Sequence, residues 1–130
     1  MTVNKPTIVF DFDGVIHSYV SGWKGVTEIP DPPVPGIREV IDKLHEIGYY
    51  IVIVSTRSAK SEGRIAMSEW LKEHDIYYDD IEAIKPPALV YIDDRAICFR
   101  GDTHALVAQI INFKPWTEDA EFMKKHLNIE

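Results

Sequence analysis

Short apolar runs alternate along this chain with longer stretches in which apolar residues recur every third or fourth position. Residues 7–10 and the run Tyr50-Ile51-Val52-Ile53-Val54 are β-branched or aromatic and too short for helices, so they read as strands buried on both faces. Between them Ile37, Val40, Ile41, Leu44 and Ile47 trace one face of a helix, with Pro35 just ahead and Gly48 just past its end. A second helix is expected over about 59–74, carrying Ile65, Ala66, Met67, Trp70 and Leu71, with Gly63 weakening its first turn. Further short strands are expected at 76–78, 89–92 and 97–99, and Asp102 or Thr103 is placed to cap a helix bearing Leu106, Val107, Ile110 and Ile111. From 114 to 130, Trp116, Ala120, Met123 and Leu127 have helical spacing, which predicts a docking helix or tail.

Strands that alternate with helices imply right-handed crossovers and a mainly parallel sheet. The expected fold class is therefore α/β, a Rossmann-like three-layer sandwich. Its 130 residues suit one domain, 1–130, with no linker or repeat. The stretch of about 16–34 contains Ser21-Gly22-Trp23-Lys24-Gly25 and ends in Pro30-Asp31-Pro32-Pro33. It is too short and turn-rich for a large cap domain and is expected to be a flap loop, whose glycines let it move.

Two of the apolar runs end in acid pairs. Ile8-Val9-Phe10 leads into Asp11-Phe12-Asp13-Gly14, and Leu89-Val90-Tyr91-Ile92 into Asp93-Asp94-Arg95, roughly eighty residues later. Carboxylates crowded at a strand end repel each other unless a cation or a shared proton intervenes, so a purely structural core gains nothing from them. In an open parallel sheet, ligands collect beyond the carboxyl ends of the strands, where Asp11, Ser55 and Asp93 all fall. Lys85 stands eight residues before Asp93, its backbone pinned by Pro86 and Pro87. Asp11 and Asp93 fit as hard oxygen ligands for Mg²⁺, with Asp94 a further direct or water-bridged one.

Together Asp11, Asp13, Ser55, Lys85, Asp93 and Asp94 resemble the four signature motifs of the haloacid dehalogenase (HAD) superfamily, over roughly residues 7–100. The resemblance implies a HAD-like fold and a phosphate-monoester hydrolase. Asp11 would be the nucleophile that becomes an aspartyl-phosphate, and Asp13 the general acid and later base, its backbone carbonyl completing the metal set. Ser55, with Thr56 as the neighbouring candidate, would hydrogen-bond the phosphoryl group; a helix N-cap is the structural alternative for either. Lys85 would shield nucleophile from phosphate. Gly14 lets the chain turn and is expected among the phosphate- or substrate-binding residues, and Val15 stands where phosphatase members commonly carry threonine. Ser55-Thr56-Arg57 and Asp93-Asp94-Arg95 are also similar to the phosphatase domain of polynucleotide kinase/phosphatases. Arg57 would then fork onto phosphate oxygens, with a surface ion pair as its alternative, and Arg95 would brace the acids. His17 follows the catalytic loop closely enough to touch substrate, and Trp23 offers the flap a stacking face.

Composition narrows the substrate. With 21 acidic and 14 basic residues the net charge is −7, which argues against the basic face that duplex binding needs. A small phosphorylated metabolite or nucleotide is the leading expectation. A polynucleotide end is the alternative, and a non-catalytic phosphate-binding module a third reading that nothing in the sequence favours. With only a loop over the crevice, specificity must come from that loop, from a second copy in a homo-oligomer, or from the rest of a large substrate. The five histidines lack metal-ligand spacing, which argues against zinc. No signal-like start and no long apolar run is present, so a cytoplasmic location away from membranes is expected. Cys98, the single cysteine, lies between Ile97 and Phe99 and is expected to be a buried core thiol. Asp79, Asp80 and Glu82 are expected to form a solvated loop.

Overall fold

The structure is a computed structural model that describes residues 5–127. Its elements in chain order are β1 (Thr7–Asp11), α1 (Ile37–Ile47), β2 (Tyr50–Val54), a 3₁₀ turn (Thr56–Ala59), α2 (Ser61–Glu73), β3 (Asp80–Glu82), β4 (Val90–Ile92), α3 (Leu106–Ile111), a second 3₁₀ turn (Trp116–Glu118) and α4 (Ala120–Leu127). The four strands pair in parallel in the order β3-β2-β1-β4, a Rossmann-like α/β sheet with no large cap among the described residues. Chain order runs outward from β1 through β2 to β3 and then returns to the other side of β1. The reversal falls between β1 and β4, the position where such sheets open a crevice.

The period of two along the strands sorts their side chains. Ile8, Phe10, Ile51 and Ile53 face α1 and α2 and join Ile41, Met67, Trp70 and Leu71 in the main core. Val9, Val52 and Val54 form a smaller cluster on the opposite face, with Ala88 against it. Phe12, between the two acids of the first pair, is fully buried and meets Trp70 edge-on at 5.2 Å. This inward ring anchors the loop that carries Asp11 and Asp13.

Gly63 has a tertiary reason that outweighs its low helix propensity. A Cβ there would stand 1.9 Å from the Arg57 carbonyl oxygen and 2.8 Å from Val26 Cγ1. Both α2 and the flap approach through this gap. Gly63→Ala is expected to lower stability by about 1–3 kcal/mol, the usual range for overpacking, despite alanine's better helix propensity. Chemical denaturation of the two proteins checks the sign.

Several expectations are corrected. The strand expected at 76–78 does not form there; Ile76 instead drops into the core after α2. The strand that follows is β3, within residues expected to be a solvated loop. Asp79 enters the ladder ahead of it, exchanging hydrogen bonds with Ile51: its N–H to the Ile51 carbonyl at 2.8 Å, and its Oδ2 from the Ile51 N–H at 2.7 Å. An edge strand has one face and one side in water, so alternating acids fit it. The segment 97–99 does not form a strand, which leaves β4 at the sheet edge with Val90, Tyr91 and Ile92 exposed. Cys98 is accordingly exposed and not a core thiol. The expected helix near 106 is α3, none of whose residues is buried. The tail is helical from Ala120 to Leu127, and residues 128–130 of that expectation lie outside the described residues. Among the described residues, no helix is long and apolar enough to cross a membrane.

Candidate active site

The register of β1 against β4 pairs Phe10 with Ile92, which brings Asp11 beside the Asp93-Asp94 turn. One oxygen from each of Asp11, Asp93 and Asp94 lies within 4.8 Å of the other two. Gly14 makes this approach feasible. Its φ is +85°, and a Cβ would stand 2.2 Å from Asp94 Oδ2. Glycine therefore supplies both the left-handed turn and the space for a neighbouring carboxylate.

The three acids are electrostatically frustrated. Burial first, then the hydrogen bond to Asp94 and the charges of Asp93 and Asp94, push the Asp11 carboxyl up from 3.8 to about 8. Burial also raises Asp94, with the Asp93 charge adding to it. Burial works against ionised Asp93 as well, but the Arg95 backbone N–H and the Lys85 ammonium outweigh it and hold that carboxyl below its ordinary value. Lys85 Nζ stands 3.0 Å from Asp93 Oδ2, and the Arg95 N–H donates to Oδ1 at 2.9 Å. Asp94 Oδ1 is buried with no hydrogen-bond partner among the described residues. An orphaned carboxylate oxygen inside a cluster of acids is what a hard cation would satisfy, so these three aspartates could hold a metal ion.

Asp13 stands apart from that cluster. Its Oδ1 accepts from His17 Nδ1 at 2.8 Å, and the Arg57 Nε–H reaches Oδ2 at 2.9 Å and Oδ1 at 3.2 Å. The backbone N–H of Asp31 donates to His17 Nε2 at 3.1 Å. A nitrogen that accepts carries no proton, so the imidazole proton sits on Nδ1 and points at Asp13. Asp31 is itself fixed by Ser21, whose N–H and hydroxyl reach its two carboxylate oxygens at 2.8 and 2.6 Å. The flap is thereby stitched down: Ser18 N–H bonds Pro32 O, Val34 N–H bonds Ile16 O, and Arg57 Nη1 donates to the carbonyls of Gly25 and Val26 at 2.7 and 2.9 Å.

A cavity of about 460 Å³ opens over these groups. Asp11, Asp13, Ser55, Thr56, Lys85, Asp93, Asp94 and Trp23 line it, so eight of the residues singled out from sequence meet in one place. Ser55 is also the N-cap of the 3₁₀ turn, its Oγ accepting from the Arg57 N–H at 3.1 Å. That bond uses a lone pair and leaves the hydroxyl proton to donate. The other three expected substrate contacts are placed differently. Arg57 and His17 are fully buried and off the cavity lining, each bonded to Asp13, and buried Gly14 packs against Asp94. Neither the substrate touch expected of His17 nor the surface ion pair weighed for Arg57 is what the structure shows.

No family model matches the chain, and no curated protein matches it. Among solved structures the fold is similar to that of a conserved protein from Bacteroides thetaiotaomicron: TM-score 0.57, 21% identity, covering 89% of this chain and 98% of that one. It is also similar to part of a chain in a structure of the Pnkp1/Rnl/Hen1 complex, with TM-score 0.52 and 15% identity, covering 89% of this chain and 37% of that longer one. At these identities the likeness is one of fold.

Sequence reasoning passed over Tyr19 and foresaw only part of what Arg95 and Trp116 do. Tyr19 lines the cavity from a backbone φ of +61°, and Arg95, expected to brace the acids, lines it as well while its backbone N–H bonds Asp93. Trp116, expected only to dock the tail, donates its indole N–H to the Gly14 carbonyl at 2.7 Å. No local pattern signals a bond between residues 102 apart.

Proposed function

We propose that this chain is a Mg²⁺-dependent phosphate-monoester hydrolase of the HAD type, acting through an aspartyl-phosphate on a small phosphorylated metabolite or nucleotide. The observation that carries the reading is the convergence of Asp11, Asp93 and Asp94 at the β1/β4 crevice, with Lys85 on one side and a separately held Asp13 on the other.

A carboxylate that attacks an anionic ester needs positive charge between the two. Mg²⁺ held by Asp11, Asp93 and Asp94, with the Asp13 backbone carbonyl, would supply that charge. Lys85 adds a second cation at the cavity wall. Asp11 attacks phosphorus, the bond from phosphorus to the leaving oxygen breaks, and Asp13 hands that oxygen a proton. Asp13 then takes a proton from water, whose oxygen attacks the aspartyl-phosphate and releases inorganic phosphate with Asp11 restored. Asp13 Oδ1 accepts from both His17 and Arg57, whereas Oδ2 has the Arg57 donor alone, which leaves Oδ2 the oxygen better able to carry the proton. Ser55 or Thr56 would bond a phosphoryl oxygen, and Arg57 and His17 orient Asp13.

The test is turnover of a panel of phosphate monoesters with and without Mg²⁺. Within it, Asp13→Asn is expected to lower kcat/KM, which reports the steps up to release of the leaving group, by about 10²–10⁴-fold on alkyl phosphates and much less on activated aryl phosphates, whose leaving groups need no proton. Equal losses on both would remove the acid role from Asp13. A second reading, hydrolysis at a polynucleotide end, is supported by the fold likeness to part of the Pnkp1/Rnl/Hen1 complex and opposed by the net charge of −7. Steep salt dependence on phosphorylated oligonucleotides would promote it. Homo-oligomer formation through the exposed β4 edge would belong to either reading, and sedimentation measures it.

A further inference from the structure

The flap carries two aromatic rings into the cavity that holds the acids, Tyr19 and Trp23. Trp23 is 47% exposed, yet one face of its indole is occupied: Arg57 Cζ lies 4.7 Å from the ring centroid. Arg57 is itself fully buried, bonded to Asp13 and to the carbonyls of Gly25 and Val26, which flank the ring two and three residues on. A guanidinium fixed by four acceptor contacts makes a rigid underlay for an indole, by cation–π attraction in a partly dry setting. The exposed remainder of the residue borders the cavity. Such a ring stacks on a planar ligand without first losing the motion of a free loop.

Tyr19 is the second observation. Its φ of +61° lies in the left-handed region, which strains a non-glycine residue and would leave a glycine unstrained. The tyrosine ring lies edge-on to buried His17, with centroids 5.9 Å apart, so the strained backbone delivers an aromatic wall backed by the same network that holds Asp13. A cavity of about 460 Å³ is within the range of about 300–1,000 Å³ usual for small-molecule sites. It has room for a planar group beside the phosphate position and, at net charge −7, little positive surface for a long polyanion.

We propose that Trp23, braced from beneath by Arg57, is a stacking platform for a nucleobase, and that the substrate is a mononucleotide whose phosphate faces Asp11. This rests on the phosphatase reading and narrows it to one substrate class. Arg57 then links substrate choice to chemistry, because the same guanidinium supports the platform and holds Asp13.

The decisive quantity is the ratio of kcat/KM for a nucleoside monophosphate to that for ribose 5-phosphate, which shares the sugar and phosphate but lacks the base. Wild type is expected to favour the nucleotide, Trp23→Ala to lower the ratio by about tenfold or more, and Trp23→Phe to retain most of it, as base–aromatic stacking predicts. A merely structural role would misplace Asp13 and depress both substrates alike with the ratio unchanged, which overturns the proposal. Turnover confined to phosphorylated oligonucleotides, falling steeply with salt, overturns the mononucleotide assignment. Tryptophan fluorescence gives a readout independent of turnover: adenosine monophosphate should quench wild type, and Trp23→Phe should remove that quenching. If no phosphate ester is hydrolysed, the phosphatase reading fails and the quenching alone decides whether the platform stands. Equal quenching of wild type and Trp23→Phe overturns it.

Discussion

Asp11→Asn is expected to reduce phosphate-ester turnover by on the order of 10⁴-fold or more, while the protein stays folded and, without metal, melts at a higher temperature than wild type. The two halves of that result have one cause. Asp11 is the acid that burial and its neighbours Asp94 and Asp93 push up to about 8, so ionising it in the metal-free fold is costly. An amide keeps the shape and removes the charge. Catalysis loses its nucleophile and one metal ligand together, and the fold loses a repulsion. Thermal melts and steady-state assays on the same preparation check both. Substantial turnover in this variant would sink the aspartyl-phosphate mechanism, and a lower metal-free melting temperature would show that the carboxylate cluster is not strained.

Metal-free wild type is expected to lose stability as pH rises from about 5 to about 8, and Mg²⁺ to restore it at the upper end. Asp11 has its carboxyl raised from 3.8 to about 8 in the fold, so between those values the native state binds more protons than the unfolded chain. Stability then falls with increasing pH through that window, by an amount on the order of a few kcal/mol. Asp94, also raised, acts in the same sense. Asp93 is lowered, so its favourable contribution is lost only as pH falls below the ordinary carboxylate range, outside the window. A cation that binds only the native cluster adds about 2.7 kcal/mol at a hundredfold excess over its Kd. Melting curves at several pH values, with chelator and with millimolar Mg²⁺, measure both effects. Asp93→Ala should abolish the rise with Mg²⁺. A flat metal-free profile together with no Mg²⁺ shift would count heavily against a cation site.

The flap changes most between sequence and structure. Its glycines suggest a mobile cover, but Arg57, His17 and Asp31 tie it to Asp13 and to the first 3₁₀ turn. A distant glycine leaves room for this approach: Gly63 has no side chain to fill the space between the Arg57 carbonyl and Val26. A local reading sees that residue only as a weak helix former. Similarly, Arg57 beside a strand end suggests a phosphate fork, and only packing decides that its Nε–H is spent on Asp13.

Where a property depends on residues a few positions apart, the sequence alone determined it. The apolar run of β1, the helical stripe of α1, the buried run of β2 and the acids that end two of these apolar runs follow from periodicity and local chemistry, and they suffice for a parallel α/β sheet with acids beyond its strand ends. Tertiary structure decided everything that depends on partners far along the chain: the edge strand at 80–82, the exposure of Cys98 once 97–99 stayed out of the sheet, the orphaned oxygen of Asp94, and Trp116 on the Gly14 carbonyl. The physical reason is that periodicity reports which face of an element seeks burial, whereas the identity of the group that meets a given side chain is fixed only when separate elements pack.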